Sequence, residues 1–437
     1  MYLTTRFYLA LAAVVCLMAG GYAWPPLYTV GKGALWLLAA LVLADVALLW
    51  MRCGVTASRH CAGRFSNGDD NEVTLRVDSR YPFATRMDVI DEIPFVFQRR
   101  DVLFRIHLGA HGGKDIVYRL RPTERGAYAF GHICVFATSP LRLVERRYTC
   151  GEEQEMKVYP SYLMLRGNEL LAISQRLSDN GIKRIRRVGN NSEFEQIRDY
   201  TRDDEYRRIN WKATARRGQL MVNVFHDERS QQVVCVVDKG RIMQQTFLGM
   251  SLLDYAVNAS LALSYMVMHK EDKAGLATVC DRMDTFVPPS RRSGHMQTLL
   301  EALYRQRTTF GETDWSALVD GLNRHLPKRS LLVLFTNFSG RTGMERQLPY
   351  LRQLNMRHRL LVVFFEDNEL HDFIASPKHT TEDYYQHAVA EKTIAEQRLI
   401  VSLLRQQGIL SLLTTPQALS ADVINRYLEL KSRQMLT

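Results

Sequence analysis

The sequence predicts three parts: an N-terminal transmembrane helical hairpin, an antiparallel β-sandwich, and a doubly wound α/β domain at the C-terminus. Two apolar stretches fill most of the first 51 residues. Short β-rich runs punctuated by Gly and Pro then continue to Tyr159. From Val233 onward, continuous apolar runs alternate with segments of helical period. The expected boundaries are 1–60 for the hairpin, 65–160 for the sandwich, 161–228 for a basic connector and 229–437 for the α/β domain. A length of 437 residues suits two or three domains, and 46% hydrophobic with 24% charged residues excludes disordered and low-complexity classes. The net charge of +11 fits an anionic membrane surface, an acidic partner or nucleic acid equally well.

In the hairpin, residues 7–30 carry no charge, and a second apolar stretch covers 33–51. Each is about as long as a hydrocarbon core of ~30 Å requires. Pro25-Pro26 is read as the end of the first helix, with 25–32 as the linker. A cleaved signal peptide predicts no second span, so the hairpin is preferred. Asp45 lies about 9 Å from the end of the second span, within reach of the interface. It is read as an interfacial carboxylate rather than a proton site. The linker holds only Lys32, whereas Arg52, Arg59 and Arg64 follow the second span. The positive-inside rule then puts both termini and the soluble domains in the cytoplasm of a bacterium, anchored by two spans in its inner membrane. Seven scattered cysteines without a CxxC pair agree with a reducing compartment. Cys53 and Cys61 are read as free thiols rather than acylation sites.

In the sandwich, Val73-Thr74-Leu75-Arg76-Val77 alternates with period two. Further short runs lie at 95–97, 102–106 and 116–120. Residues 125–131 read as a turn and a strand, and Ser139-Pro140-Leu141 as a turn. His107, His111 and His132 show no ligand spacing.

Residues 176–217 carry twelve Lys or Arg against seven Asp or Glu, densest at Lys183-Arg184-Ile185-Arg186-Arg187. Such a stretch is either a solvated face with internal ion pairs or a surface for anionic lipid or an acidic protein. Nucleic acid is disfavoured, because the run lacks interleaved aromatics and any binding motif. Asp204 is expected to cap a short helix carrying Arg207, Arg208, Ile209, Trp211, Lys212 and Arg216, with Trp211 in the core. A strand follows, with Leu220, Val222 and Val224 on one face. Arg198, Asp204, Arg208 and Arg216 are candidates for a bidentate network, or for a partner-binding surface.

In the α/β domain, strands are expected at 233–237, 274–279, 331–335, 360–365 and 409–413. Helices are expected at 252–268, 297–304, 315–325, 382–405 and 418–433. Ligands in such folds bind beyond the C-terminal strand ends. There Asp238 closes the first strand, and Thr336-Asn337 follows a later one. The sequence has no GxSxG, HExxH or P-loop, so a non-enzymatic role is expected. Glu366-Asp367 and Asp383 read as strand-end and helix-start carboxylates rather than an acid pair.

The pattern Arg198-x-Tyr200, Asp204-x-x-x-Arg208-Ile209-x-Trp211 and Thr214-Ala215-Arg216 resembles the signature of the domain of unknown function 58 family. Arg125-Gly126-x-Tyr128, Ser139-Pro140-Leu141 and Val158-Tyr159-Pro160 resemble its strand-rich region. Asp203 departs from the Gly usual before the Asp. The resemblance implies a von Willebrand factor type A-like C-terminal domain, whose metal loop reads Asp-x-Ser-x-Ser. Here the loop reads Asp238-Lys239-Gly240-Arg241-Ile242, with both hydroxyls missing, and Thr336-Asn337 stands where a hydroxyl and an Asp are usual. A degenerate site without metal or cofactor is therefore expected, with Lys239 or Arg241 paired to Asp238. A residual Mg²⁺ site using Asp238, Thr313 and Asn337 stays open. The resemblance further implies a MoxR-type AAA+ ATPase as partner, in assembly or maturation of other protein complexes at the membrane. The alternatives are a metal-dependent enzyme and an adhesion module built on Asp238.

Overall fold

The structure, a computed structural model, describes the chain except residues 51–53, 98, 100–101, 162–187, 202–203, 205, 227–229, 309, 339, 367, 379 and 434–437. Cys53, Arg52, the basic run at 183–187 and Asp203 thus lie outside the described residues. The chain forms two compact units, Met1–Ser161 and Tyr162–Thr437.

The first unit begins with β1 (Tyr2–Leu3), α1 (Thr5–Gly20) and α2 (Pro25–Trp50). Only α2, with 26 residues, is both long and apolar enough to cross a membrane among the described residues; α1 is apolar but has 16. Pro25 and Pro26 open α2 instead of separating the helices. A proline in the first turn removes only an N–H that has no intrahelical acceptor. The expected linker is therefore the start of α2. Gly31 lies against Met18 of α1, where a Cβ would collide with the Met18 side chain, so the two helices approach closely.

Strands β2 (Val55–Cys61), β3 (Arg64–Ser66), β4 (Asn71–Ser79), β5 (Thr85–Asp91), β6 (Leu103–Leu108), β7 (Gly113–Leu120), β8 (Gly126–Phe130), β9 (Ile133–Thr138), β10 (Val144–Cys150) and β11 (Gln154–Tyr159) follow. They form sheets in the orders β1-β10-β9-β5-β6, β2-β4-β7 and β3-β11-β8. All pairs are antiparallel except β3 with β11. Alternate residues such as Val73, Leu75 and Val77 point into one shared core, giving a sandwich-like unit. β2 runs through the boundary expected at residue 60, and β1 is an edge strand of the five-stranded sheet. Hairpin and sandwich are thus one unit. Phe95–Phe97 is a 3₁₀ turn, not a strand; it packs Phe97 against both Phe65 and Phe130.

The second unit starts with a hairpin of β12 (Val188–Asp199) and β13 (Met221–His226), which encloses the short helix α3 (Trp211–Arg217). Next come β14 (Gln232–Asp238), the small pair β15 (Thr246–Phe247) and β16 (Met250–Ser251), α4 (Leu252–His269), β17 (Lys273–Val279), β18 (Met283–Ser290), α5 (His295–Tyr304) and α6 (Trp315–His325). They are followed by β19 (Leu331–Phe335), α7 (Arg341–Arg357), β20 (Arg359–Phe365), α8 (Asn368–Ala375), α9 (Thr381–Gln406), β21 (Leu410–Thr414) and α10 (Leu419–Ser432). The sheet order is β18-β17-β14-β19-β20-β21, parallel except for β18 at the edge. Strands buried on both faces read as unbroken apolar runs, as in Val233–Val237. Val233, Cys235 and Val237 face α4, α5 and α10; Val234 and Val236 face α6, α7 and α9. The order reverses between β14 and β19, so the crevice of this sheet lies beyond their C-terminal ends.

Candidate functional site

Asp238 is the last residue of β14, and Thr336 follows the last residue of β19. The two strands pair in parallel with Val237 beside Phe335, which brings Asp238 and Thr336 together across the crevice. Thr336 Oγ1 donates to Asp238 Oδ2 at 2.7 Å. Thr313, in the segment before α6, donates its hydroxyl to Oδ1 at 2.5 Å, and the Gly240 amide donates to the same oxygen at 2.8 Å. A Cβ at Gly240 would collide with the Thr313 hydroxyl, so this close approach of backbone requires glycine. The loop is fixed further by Thr308 Oγ1 donating to the Lys239 carbonyl at 2.6 Å and by the Arg241 amide donating to Gly311 at 2.9 Å.

The carboxylate is buried, and among the described residues no cation pairs with it. Burial pushes its pKa above the usual carboxylate range, against the pull of the Thr313, Thr336 and Gly240 hydrogen bonds. The expected pairing with Lys239 or Arg241 is corrected. Lys239 is itself buried, and its Nζ lies 2.5 Å from Asp284 on β18 and 3.3 Å from the Arg307 carbonyl. Arg241 is exposed, and its ion pair among the described residues is with Glu312, at 3.9 Å. The reason is direction: successive residues leaving a strand point to opposite sides, so Lys239 leaves the crevice that Asp238 faces.

A divalent cation would find a poor donor set here. One carboxylate and two hydroxyls converge, but both carboxylate oxygens already accept hydrogen bonds. Asn337, neutral where a second acid is usual, uses its Oδ1 to accept from the Phe338 amide at 3.0 Å. Among the described residues no three His, Cys, Asp or Glu side chains cluster as a metal would need.

The connector forms a second constellation. Arg198 and Asp204 pair through two parallel bonds, at 2.9 and 2.6 Å. Asp204 also accepts from the Thr201 amide and hydroxyl, both at 2.8 Å. Partial burial pushes the Asp204 pKa upward, but these Thr201 and Arg198 bonds outweigh it and hold the carboxyl below its ordinary value. Asp204 thus closes a turn, and among the described residues it caps no helix. Residues 206–208 form a 3₁₀ turn, Ile209 bridges to Val222, and α3 is capped by Asn210, whose side chain accepts from the Ala213 amide. Tyr200 ties in through its amide, which donates to Leu220 at 2.9 Å.

Two expectations for this segment fail. Trp211 is 58% exposed rather than in the core, and it stands edge-on to Tyr206, itself 68% exposed, with ring centroids 5.9 Å apart. Leu220 is exposed, while Val222 is buried. Arg216 joins no ion pair among the described residues and is exposed beside Lys212 and Arg217. The Arg208 and Val224 side chains lie outside the described residues. The reading of the sequence missed Tyr206 and Asp284. The Tyr-x-x-x-x-Trp spacing across a turn could have pointed to the first; nothing local marks the second.

Residues 196–373 match a family model described as protein of unknown function DUF58. The matched segment contains both constellations, and the family is the one that the signature resembles. The uncharacterized protein YeaD of Bacillus subtilis is 23% identical over 188 residues, 43% of this chain and 44% of YeaD. The uncharacterized protein Rv1480 of Mycobacterium tuberculosis is 25% identical over 177 residues, 40% of this chain and 55% of its own. The chain therefore spans about half the length of the curated relatives it matches. Among solved structures, the conserved hypothetical protein BatB of Bacteroides thetaiotaomicron aligns over 47% of this chain and 99% of its own, at 11% identity and a TM-score of 0.29. An aerotolerance-related membrane protein of Bacteroides fragilis aligns over 31% and 67%, at 14% identity and a TM-score of 0.25.

Proposed function

We propose that this chain is a membrane-anchored binding or scaffold protein without catalytic activity of its own. Its second unit is read as a von Willebrand factor type A-like domain with a degenerate metal site. The observation that carries the proposal is the exposed Tyr206–Trp211 pair with Arg207, Lys212, Arg216 and Arg217 around it. Exposed Trp, Tyr and Arg in one patch are the side chains that dominate binding energy at protein interfaces. The positive charge suits an acidic partner face. A MoxR-type AAA+ ATPase is the first partner to test, as the family resemblance implies, and a role in assembling or maturing other complexes follows from that partnership. The soluble parts are read as cytoplasmic, with two spans in the inner membrane of a bacterium.

The test is co-purification from detergent extracts of cells producing the full chain with the ATPase. Trp211→Ala combined with Arg216→Ala is expected to abolish capture while the melting temperature holds. Capture that survives the double substitution overturns the patch as the contact. A reporter fused to the C-terminus reads the topology, and activity on the outer side of the membrane would favour the adhesion reading instead.

One observation favours the rival reading of a metal-dependent enzyme or adhesion module: the Thr313 and Thr336 hydroxyls converge on Asp238 at the point where the strand order reverses. Calorimetric titration of the full chain with Mg²⁺ and Mn²⁺ separates the two. The binding-protein reading expects no saturable heat; micromolar binding that Asp238→Asn removes would establish the rival.

A further inference from the structure

The turn at residues 139–143 is where both apolar helices meet the sandwich. On the α1 side, β1 pairs with β10, Leu3 beside Val144. The Thr4 amide donates to the Leu143 carbonyl at 3.1 Å, and the Thr4 hydroxyl to the Arg142 carbonyl at 2.5 Å. On the α2 side, Asp45 is fully buried and accepts from the Ser139 hydroxyl and, at 3.1 Å, from the Leu143 amide. A turn later the Leu49 carbonyl accepts from Arg146, at 2.8 Å, and from the Tyr81 hydroxyl, at 3.0 Å. The Arg146 guanidinium covers the Trp50 ring at 4.5 Å. The last turns of α2 are thus capped and held by protein. Asp45, expected as an interfacial carboxylate, is buried against this turn and anchors it.

This fixes where lipid can begin. Residues 25–44 precede Asp45 and span about 30 Å, the thickness of a hydrocarbon core. Trp36, Leu37 and Leu43 on this stretch are exposed, as are Tyr8, Leu9 and Val15 on α1. The turn lies at the level where α1 starts and the free part of α2 ends. Its tip is Leu141, 45% exposed, held out by Arg142 in the left-handed region at φ 60°. The exposed Arg6 is the second residue of α1.

We propose that this turn is a membrane-contact element, with Leu141 inserted at the boundary between headgroups and acyl chains and with Arg142 and Arg6 among anionic phospholipid headgroups. The occupant follows from continuity: the apolar faces of both helices run directly up to the turn. Apolar tips flanked by cations favour such a boundary. The sandwich would then stand directly on the bilayer, held at three points, instead of swinging on a tether. This rests on reading α2 as a membrane span.

Photo-crosslinking tests it on the full chain in vesicles of phosphatidylcholine and phosphatidylglycerol. Three variants are compared: Leu141→p-benzoylphenylalanine, Trp36→p-benzoylphenylalanine within the span, and Phe95→p-benzoylphenylalanine. Phe95 is 81% exposed and follows β5 at the end of the sheet remote from the turn. Phospholipid adducts are expected at 141 and 36 and not at 95, by intact-protein mass. Adducts at 36 but none at 141 would overturn the membrane contact of the turn while leaving the span intact. No adduct at 36 would overturn the span itself. Crosslinks from 141 to a second copy in place of lipid would also overturn the proposal.

Discussion

Each unit buries a carboxylate at the end of a strand, and the two are treated in opposite ways. Asp91 closes β5 and is met by the buried Arg59, whose Nε donates at 3.2 Å, and by the Tyr118 hydroxyl. Burial, followed by the charge of Asp91 and the bond to it, pushes the Tyr118 pKa up strongly, so the phenol stays a donor. Arg59 also donates to the Gly131 carbonyl at 3.0 Å and lies over the Phe130 ring. That charge is compensated, and the arrangement is complete. Asp238 is buried as deeply, but its partners among the described residues are hydroxyls and an amide, while the neighbouring Lys239 turns away to Asp284. A buried charge is tolerated only with a partner or a shifted pKa. Asp91 takes the first route and Asp238 the second.

Breaking the compensated pair should have the largest effect. Arg59→Ala strands the Asp91 charge and is expected to cost about 3–5 kcal/mol, read as a lowered thermal midpoint of the first unit. An unchanged midpoint would mean that Asp91 needs no counter-charge and that the contrast is false. Thr336→Val keeps the shape at Asp238 but removes one donor. It should cost about 1–3 kcal/mol, seen as faster amide exchange in β14 and β19.

The pH dependence of the second unit sharpens the contrast further. Because burial raises the Asp238 pKa, the folded state holds its proton where the unfolded chain has released it. The stability that this proton confers is full below the ordinary carboxylate value and falls as pH rises through the folded value. Asp238→Asn should flatten that slope; an identical slope in the variant would assign it to other groups. The smallest effect on stability is expected from Trp211→Ala, within about 0.5 kcal/mol, because the side chain is exposed. A loss of several kcal/mol would return Trp211 to a structural role.

The sequence made legible what depends on near neighbours. The buried strands announced themselves as apolar runs, and α6 spans the expected residues 315–325 because Asp314 caps it and its apolar positions repeat at helical spacing. Strand β18 escaped notice because it is an edge strand ending near Pro288-Pro289. Helix α7 escaped because it is mostly polar and holds Pro349 in its interior. The Arg198–Asp204 pair was visible because its members lie only six positions apart. The partners of Asp238 lie 75 and 98 residues away, and those of Asp45 lie 94 and 98 away, so no local pattern could assign them. Trp211 shows the complementary limit: an aromatic beside an isoleucine looks like core until the turn that separates them is known.

The hydrogen bond from Thr336 to Asp238 also has a consequence for synthesis on the ribosome. β14 emerges early, but its neighbour β19 is encoded nearly a hundred residues later, and closing so long a loop is slow. A nascent chain halted before Ser330 would lack the Thr336 donor to Asp238 and the β19 side of the central strand's ladder. The finished crevice can exist only on a molecule whose translation has passed that point, so its presence certifies a chain translated at least that far.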